Sequence, residues 1–129
     1  MRLKHHLNLI QDILYSRQEI IIESFQVQEI VPGREGIIEG RLRFWDGSLL
    51  QFTESLVESG VVLIKTDYSY HYQDADENLV FRYDNAPHHP EIGSHPHHKH
   101  LPDSITSASP PHLGDVLREI DQILYLDQS

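Results

Sequence analysis

Apolar residues recur at Leu3, Leu7, Ile10 and Leu14, with Ile13 widening the stripe, so the spacing predicts an amphipathic helix over residues 3–15. From Glu19 the pattern turns extended and β-branched, EIIIESFQVQEIV, and stops at the turn signal Pro32-Gly33. Residues 37–46 read as a second strand ending in the tight-turn dipeptide Asp46-Gly47. Residues 48–57, 61–73 and 78–84 read as a third, fourth and fifth. Connections this short between successive strands imply an antiparallel meander. Near the other end, Leu113, Val116, Leu117, Ile120, Ile123 and Leu124 form one apolar stripe, with Ser109 the expected N-cap and Pro110 the first helical residue. The expected fold is α+β: a five-stranded antiparallel meander sheet with the N- and C-terminal helices packed on one face.

Side chains alternate across a strand, so residue parity sorts the sheet into two faces. Ile38, Leu42, Phe44, Leu50, Phe52, Leu56, Val62, Ile64, Tyr68, Tyr70 and Tyr72 fall on one face. A four-residue loop pairs Gln73 with Asn78, hence Tyr70 with Phe81 and Tyr68 with Tyr83, which adds Leu79, Phe81 and Tyr83 to that face. The three tyrosines therefore read as core. The opposite face carries Arg41, Arg43, Gln51, Thr53, Lys65, His71 and Arg82, with Glu39, Asp67 and Asp84 sharing its parity. His5, His6 and His112 read as exposed surface residues on the helices, and Trp45 as a packing residue beside a turn.

A chain of 129 residues, 39% apolar and without an internal repeat, is expected to form one domain, residues 1–129. No run approaches the ~18–20 apolar residues of a membrane span, and the charged start MRLKHHLNLIQDIL lacks the apolar core of a signal sequence, so a cytoplasmic protein without membrane contact is expected. The absence of cysteine excludes disulfides, thiolate catalysis and Cys-type zinc sites. A formal net charge of −10 counts against broad attraction to nucleic acid, yet leaves room for a local cationic pocket and suits a basic protein partner. The edge strands of a meander can pair between chains, which makes a homodimer an open expectation.

Between the last strand and the closing helix lies a loop, residues 85–103, rich in proline and histidine and without periodicity. Six of the ten histidines fall there: His88, His89, His95, His97, His98 and His100. Loops of this length in compact domains tend to be functional or disordered. Three chemistries suit the cluster. Imidazoles can serve as general base and general acid in phosphodiester cleavage, with Arg82 and Lys99 stabilising charge on the phosphoryl group. No metal is required for RNA, because its 2′-hydroxyl attacks. Alternatively, neutral His88, His97, His98 and His100 coordinate a divalent cation such as zinc or nickel, with Asp84 or Asp103 adding oxygen. The third reading is a solvated loop that scavenges metal weakly. Arg82, Tyr83, Asp84 and Asn85 end the fifth strand where the loop begins, a favourable place for site residues, although Asp and Asn there also suit turn chemistry.

The run YSYHYQDADENLVFRYDNAPHHPEIGSHPHHKHLPD resembles the signature of the TumE-like family, small bacterial and archaeal proteins of toxin–antitoxin systems. Its distinctive parts, an FRYDN-type strand end, then PHH, then HHKH, are all intact. The helix, meander and closing helix agree with it over essentially the whole chain. The signature falls on Arg82, Tyr83, Asp84, Asn85, His88, His89, His97, His98, Lys99 and His100, and leaves His95 outside. The resemblance implies the toxin component of a type II toxin–antitoxin system, paired with an antitoxin encoded by the adjacent gene. Charge and resemblance together point to a DNA-binding antitoxin.

Combined with the residue chemistry, the expectation is a metal-independent endoribonuclease acting on RNA, with no cofactor. One of His98 and His100 is the base and His88 or His89 the acid. Arg82, Lys99, Arg41 and Arg43 contact phosphate, while Tyr83, Asp84, Asn85, His71 and His97 support the site. The rival readings are a metal-binding nuclease, a non-enzymatic module that arrests growth by blocking a target, and a member that retains only its partner interaction.

Overall fold

A computed structural model describes residues 2–87 and 92–126. Helix α1 (Arg2–Tyr15) leads into β1 (Ile20–Val31), β2 (Glu35–Phe44), β3 (Leu49–Ser59), β4 (Val62–Gln73) and β5 (Leu79–Asp84). Two short strands, β6 (His98–Leu101) and β7 (Ser104–Ser107), precede α2 (Leu113–Asp121), which runs on into a π-helical turn (Gln122–Leu126). All strands pair antiparallel in the order of the chain, β1 to β7. The architecture is α+β as expected, but the sheet has seven strands and not five. The extra hairpin arises inside the expected loop because Pro102-Asp103 closes a two-residue turn, pairing Leu101 with Ser104 and His98 with Ser107.

Both helices lie on one face. Leu3, Ile10 and Leu14 of α1 and Leu113, Val116, Leu117 and Ile120 of α2 are buried against Ile38, Leu42, Leu50, Phe52, Tyr68, Tyr70, Tyr72 and Phe81. The tyrosines are core, as their parity implied. Gly40 sits beneath Phe52: a Cβ there would meet that ring at 2.2 Å, so the absent side chain makes room for the aromatic. Helix α2 starts at Leu113, later than Ser109-Pro110 suggested. His112 is its N-cap, and the Asp115 carboxylate accepts from the His112 backbone N–H at 3.0 Å. Trp45 is 53% exposed and touches Tyr125 instead of packing into the core.

Two bulges revise the predicted registers. Between β4 and β5 the irregularity beside Gln73 puts Tyr72 opposite Phe81 and Tyr70 opposite Tyr83. From Phe81 on this is a two-residue displacement, which preserves the faces, but before the bulge Leu79, expected in the core, stands opposite Gln73 and Val80 packs on the core instead. Between β3 and β4 the extra residue is Thr66, because Ser55 pairs with Asp67 and Leu56 with Lys65. Beyond it every side chain of β4 changes face. Lys65 turns in beneath the helices, while Val62 and Ile64, expected in the core, are exposed.

Lys65 meets Glu54, whose side chain is wholly buried. The Glu54 carboxylate accepts from Tyr70 Oη at 2.6 Å, bonds His6 Nε2 at 2.9 Å and lies 3.6 Å from Lys65 Nζ. The same ammonium bonds Tyr70 Oη at 2.6 Å and donates to the Pro111 carbonyl at 3.2 Å. His6 is therefore a half-buried anchor of α1 and not the exposed residue expected. Burial alone would raise the Glu54 carboxyl, but the bond to His6 and the Lys65 charge hold it below its ordinary value of 4.5. Burial pushes the Lys65 ammonium down, against the pull of Glu54.

Two outcomes follow for stability. Gly40→Ala destabilises by about 1–3 kcal/mol through overpacking, and the pair Gly40→Ala/Phe52→Leu recovers part of that loss in urea titrations. Glu54→Ala costs about 3–5 kcal/mol, because it strands the Lys65 ammonium in the dry layer, whereas Glu54→Leu with Lys65→Met is much milder. The wild-type contribution of Glu54 is fully present above pH 4.5 and is lost as the pH falls below it. The acid limb of the stability–pH profile is accordingly shallower in the double variant.

Candidate functional site

The sheet face away from the helices is where the charged residues of the middle strands collect. Alternation along β5 sends Phe81 and Tyr83 toward the helices, and Arg82 and Asp84 to the open face. Strand β6 pairs Arg82 with His100, Tyr83 with Lys99 and Asp84 with His98. The same alternation therefore splits His98-Lys99-His100: the two histidines join Arg82 and Asp84, and the lysine goes to the other side. Register places two rows across the sheet. One runs Arg41, Gln51, His71, Arg82, His100, and the other Glu39, Thr53, Ser69, Asp84, His98. Arg41, Gln51, Thr53, Ser69, His71 and Arg82 line a trough of about 450 Å³ along this face.

Asp84 is the hub. Its Oδ1 lies 2.8 Å from His98 Nε2 and accepts the Ala86 backbone N–H at 3.1 Å. Its Oδ2 accepts Arg82 Nε at 2.9 Å and lies 3.3 Å from His100 Nε2. Burial alone would raise this carboxyl, but the hydrogen bonds from Arg82 and Ala86 and the neighbouring His98 hold it below the usual carboxylate range. The Nδ1 of His98 faces the Pro96 carbonyl at 2.8 Å. A carbonyl can only accept, so Nδ1 carries a proton. His98 is buried and His100 is half-buried, so His100 is the more accessible imidazole. His71 lies 3.4 Å from Arg82 Nη1, and burial together with that guanidinium pushes its imidazole down, favouring the neutral ring.

The donor atoms of Asp84, His98 and His100 lie within 4.8 Å of one another, and two imidazoles with one carboxylate suit zinc or a similar divalent cation. Arg82 on the same carboxylate works against a second positive charge there. Tyr68, which faces the helices, feels Asp84 through the sheet: burial and then that charge push its phenol up to about 12, so it stays a neutral hydroxyl.

The other expected site residues separate from this cluster. Lys99 lies beneath α2, bonded to Glu119 at 2.7 Å and set over the Phe81 and Tyr83 rings. Tyr83 Oη donates to Glu119 at 2.6 Å. His97 Nδ1 lies 3.0 Å from Tyr68 Oη, the two rings stacked, so this imidazole does not join Asp84. Asn85 performs turn chemistry: its side chain accepts from the Tyr68 backbone N–H and donates to the Thr66 carbonyl, closing the bulge. Arg41 and Arg43 share the carboxylate of Glu23, at 2.8 and 2.9 Å. His95 is exposed in a turn, and Asp103 lies in the β6–β7 turn away from Asp84. His88 and His89 lie outside the described residues.

Ser69, at the floor of the trough, was absent from the sequence-based set. Its signal was available in the parity of β4, opposite Thr53 and beside His71. No helix among the described residues is long and apolar enough to cross a membrane. No curated protein and no solved structure matches the chain. A family model described as Toxin TumE matches residues 7–124, nearly the whole length. The chain therefore belongs to the TumE toxin family, a membership that suggests a toxin's role and implies a cognate antitoxin as partner.

Proposed function

We propose that this toxin is an endoribonuclease that works without a metal at Asp84, His98, His100 and Arg82. One observation carries the reading: a single carboxylate gathers two imidazoles and a guanidinium at the end of a row of polar and cationic side chains. RNA laid along the trough meets Arg82 and Arg41, while His71 and Gln51 lie between them. His100 takes the proton of the 2′-hydroxyl as that oxygen attacks phosphorus, and the Asp84 carboxylate at 3.3 Å stabilises the imidazolium that forms. Arg82 balances charge on the phosphoryl oxygens. The 5′-oxygen leaves with a proton from His88 or His89, the acids expected from sequence. His98 holds Asp84 in place.

Arg41 enters this reading as a phosphate contact that exchanges its exposed partner Glu23 for the substrate. Arg43 lies farther along the same face, bonded to Glu23 and to the Gly47 carbonyl. Lys99 is assigned to the attachment of α2 and not to phosphate.

A metal-dependent nuclease is the second reading, favoured by the convergence of Asp84, His98 and His100. Arg82 puts it second, because its guanidinium already holds the carboxylate that a metal would share and opposes a second positive charge there. The bond between His98 Nδ1 and the Pro96 carbonyl suits either reading. We further infer that the antitoxin is a basic, DNA-binding protein encoded next to this gene, since such a partner complements the net charge of −10 and could cover the open face.

The test is growth arrest beside RNA cleavage by purified protein. His100→Ala and Arg82→Ala each lower cleavage by about 10²-fold or more and relieve the arrest, as expected on removing a proton-transfer or charge-stabilising group. Lys99→Met retains cleavage and loses stability instead. Protein stripped by a chelator remains active; activity that returns only with added zinc would establish the metal reading. Arrest that persists in both His100→Ala and His98→Ala sinks the catalytic assignment altogether.

A further inference from the structure

The long edge of the sheet is β1, twelve residues exposed along most of their length, and no second strand flanks it among the described residues. Natural edges are usually blocked by lysine, proline or an inward charge. Between Ile20 and Val31 there is no Lys, Arg or Pro. One of its two acids, Glu23, is held by Arg41 and Arg43 beside a register break. The pairing with β2 breaks between Ile22 and Ser24 and again between Glu29 and Val31, which leaves Ser24–Glu29 as a regular run.

That run is self-complementary. Phe25 and Val27 stand opposite Gly40 and Ile38 and so belong to the helix face, while Ser24, Gln26 and Gln28 belong to the open face. An added antiparallel strand must set same-face residues opposite one another. A second copy centred on Gln26 meets that condition. Phe25 of each chain opposes Val27 of the other, Ser24 opposes Gln28, and the two Gln26 amides meet on the axis. Glu23 falls opposite Glu29 at each end of the run, but the register break turns Glu23 to the open face, where Arg41 and Arg43 neutralise it. A one-residue slip crosses the faces throughout. Centring on Phe25 sets Val27 against the bulged Glu23, and centring on Val27 sets Phe25 against Glu29.

We propose that β1 is a self-association edge on which a second copy of this chain adds antiparallel about Gln26, making one continuous sheet from two chains. The axis stands normal to the sheet, so both helix layers lie on one side and both open faces on the other. Two Asp84 clusters then share one surface, at its opposite ends. The association is independent of the nuclease reading, since no residue of that site takes part.

Residue 26 is the lever for the test, because a charge placed on a twofold axis meets itself. The full-length parent shows twice the mass of one chain by light scattering. Gln26→Lys and Gln26→Glu each weaken association at least tenfold, with unchanged circular dichroism, the side chain being exposed. The natural chain has no cysteine, so Gln26→Cys supplies the sole thiol. It cross-links into a dimer under mild oxidant, while Val31→Cys, five residues from the axis, does not. A parent that is monomeric at every concentration overturns the proposal. So does a dimer unaffected by both charges, or an edge that pairs only with a strand of the antitoxin.

Discussion

A single antiparallel sheet that, among the described residues, carries helices on one face only is the constraint from which this structure follows. Period-two alternation then assigns each strand residue either to a dry layer or to an open surface, and neighbours in sequence part company. The consequence is sharpest at His98-Lys99-His100, where three adjacent cationic or titratable side chains take opposite sides. Lys99 becomes part of the attachment of α2, and the two histidines become partners of Asp84. A site and a structural contact are thus built from one tripeptide.

Within the dry layer, charges persist only in company. Glu54 is satisfied by His6, Tyr70 and Lys65, and through them it ties α1, β3, β4 and the segment before α2 into one network. Glu119 plays the matching part at the other end, receiving Lys99 and Tyr83 from the sheet. Apolar stripes press the helices onto the strands, and these carboxylates fix where along the sheet each helix sits. Asp84 obeys the same electrostatics from the open side. There Arg82 lines the trough and His100 is half-buried, while His98 is buried behind them.

The meander, both helices and the core tyrosines were legible because each rests on a local period: 3.6 in Leu3 to Leu14 and Leu113 to Leu124, two in Tyr68 to Tyr72. The open-face row of Arg41, Gln51, His71 and Arg82 was legible for the same reason, as was the proximity of Asp84 to the histidine segment. The β6–β7 hairpin was not, since His98 to Leu101 offers neither β-branched residues nor apolar alternation. Its stability comes from pairing with β5 and from Leu101 packing on the core. Lys65 was assigned to the wrong face because parity counts straight through a bulge, and nothing about Thr66 by itself announces one.

The sequence alone determined α1, the first five strands, the apolar stripe of α2, most of the division of the sheet into two faces and the segment where the candidate site residues concentrate, because those properties are read from spacing along the chain. Tertiary structure decided which members of the histidine cluster meet. Asp84 joins His98 and His100, while His97 turns to Tyr68, Lys99 to Glu119, and His6 to the buried Glu54. Those pairings depend on register across strands and on single-residue bulges, which the energies of the whole sheet select and no local window contains.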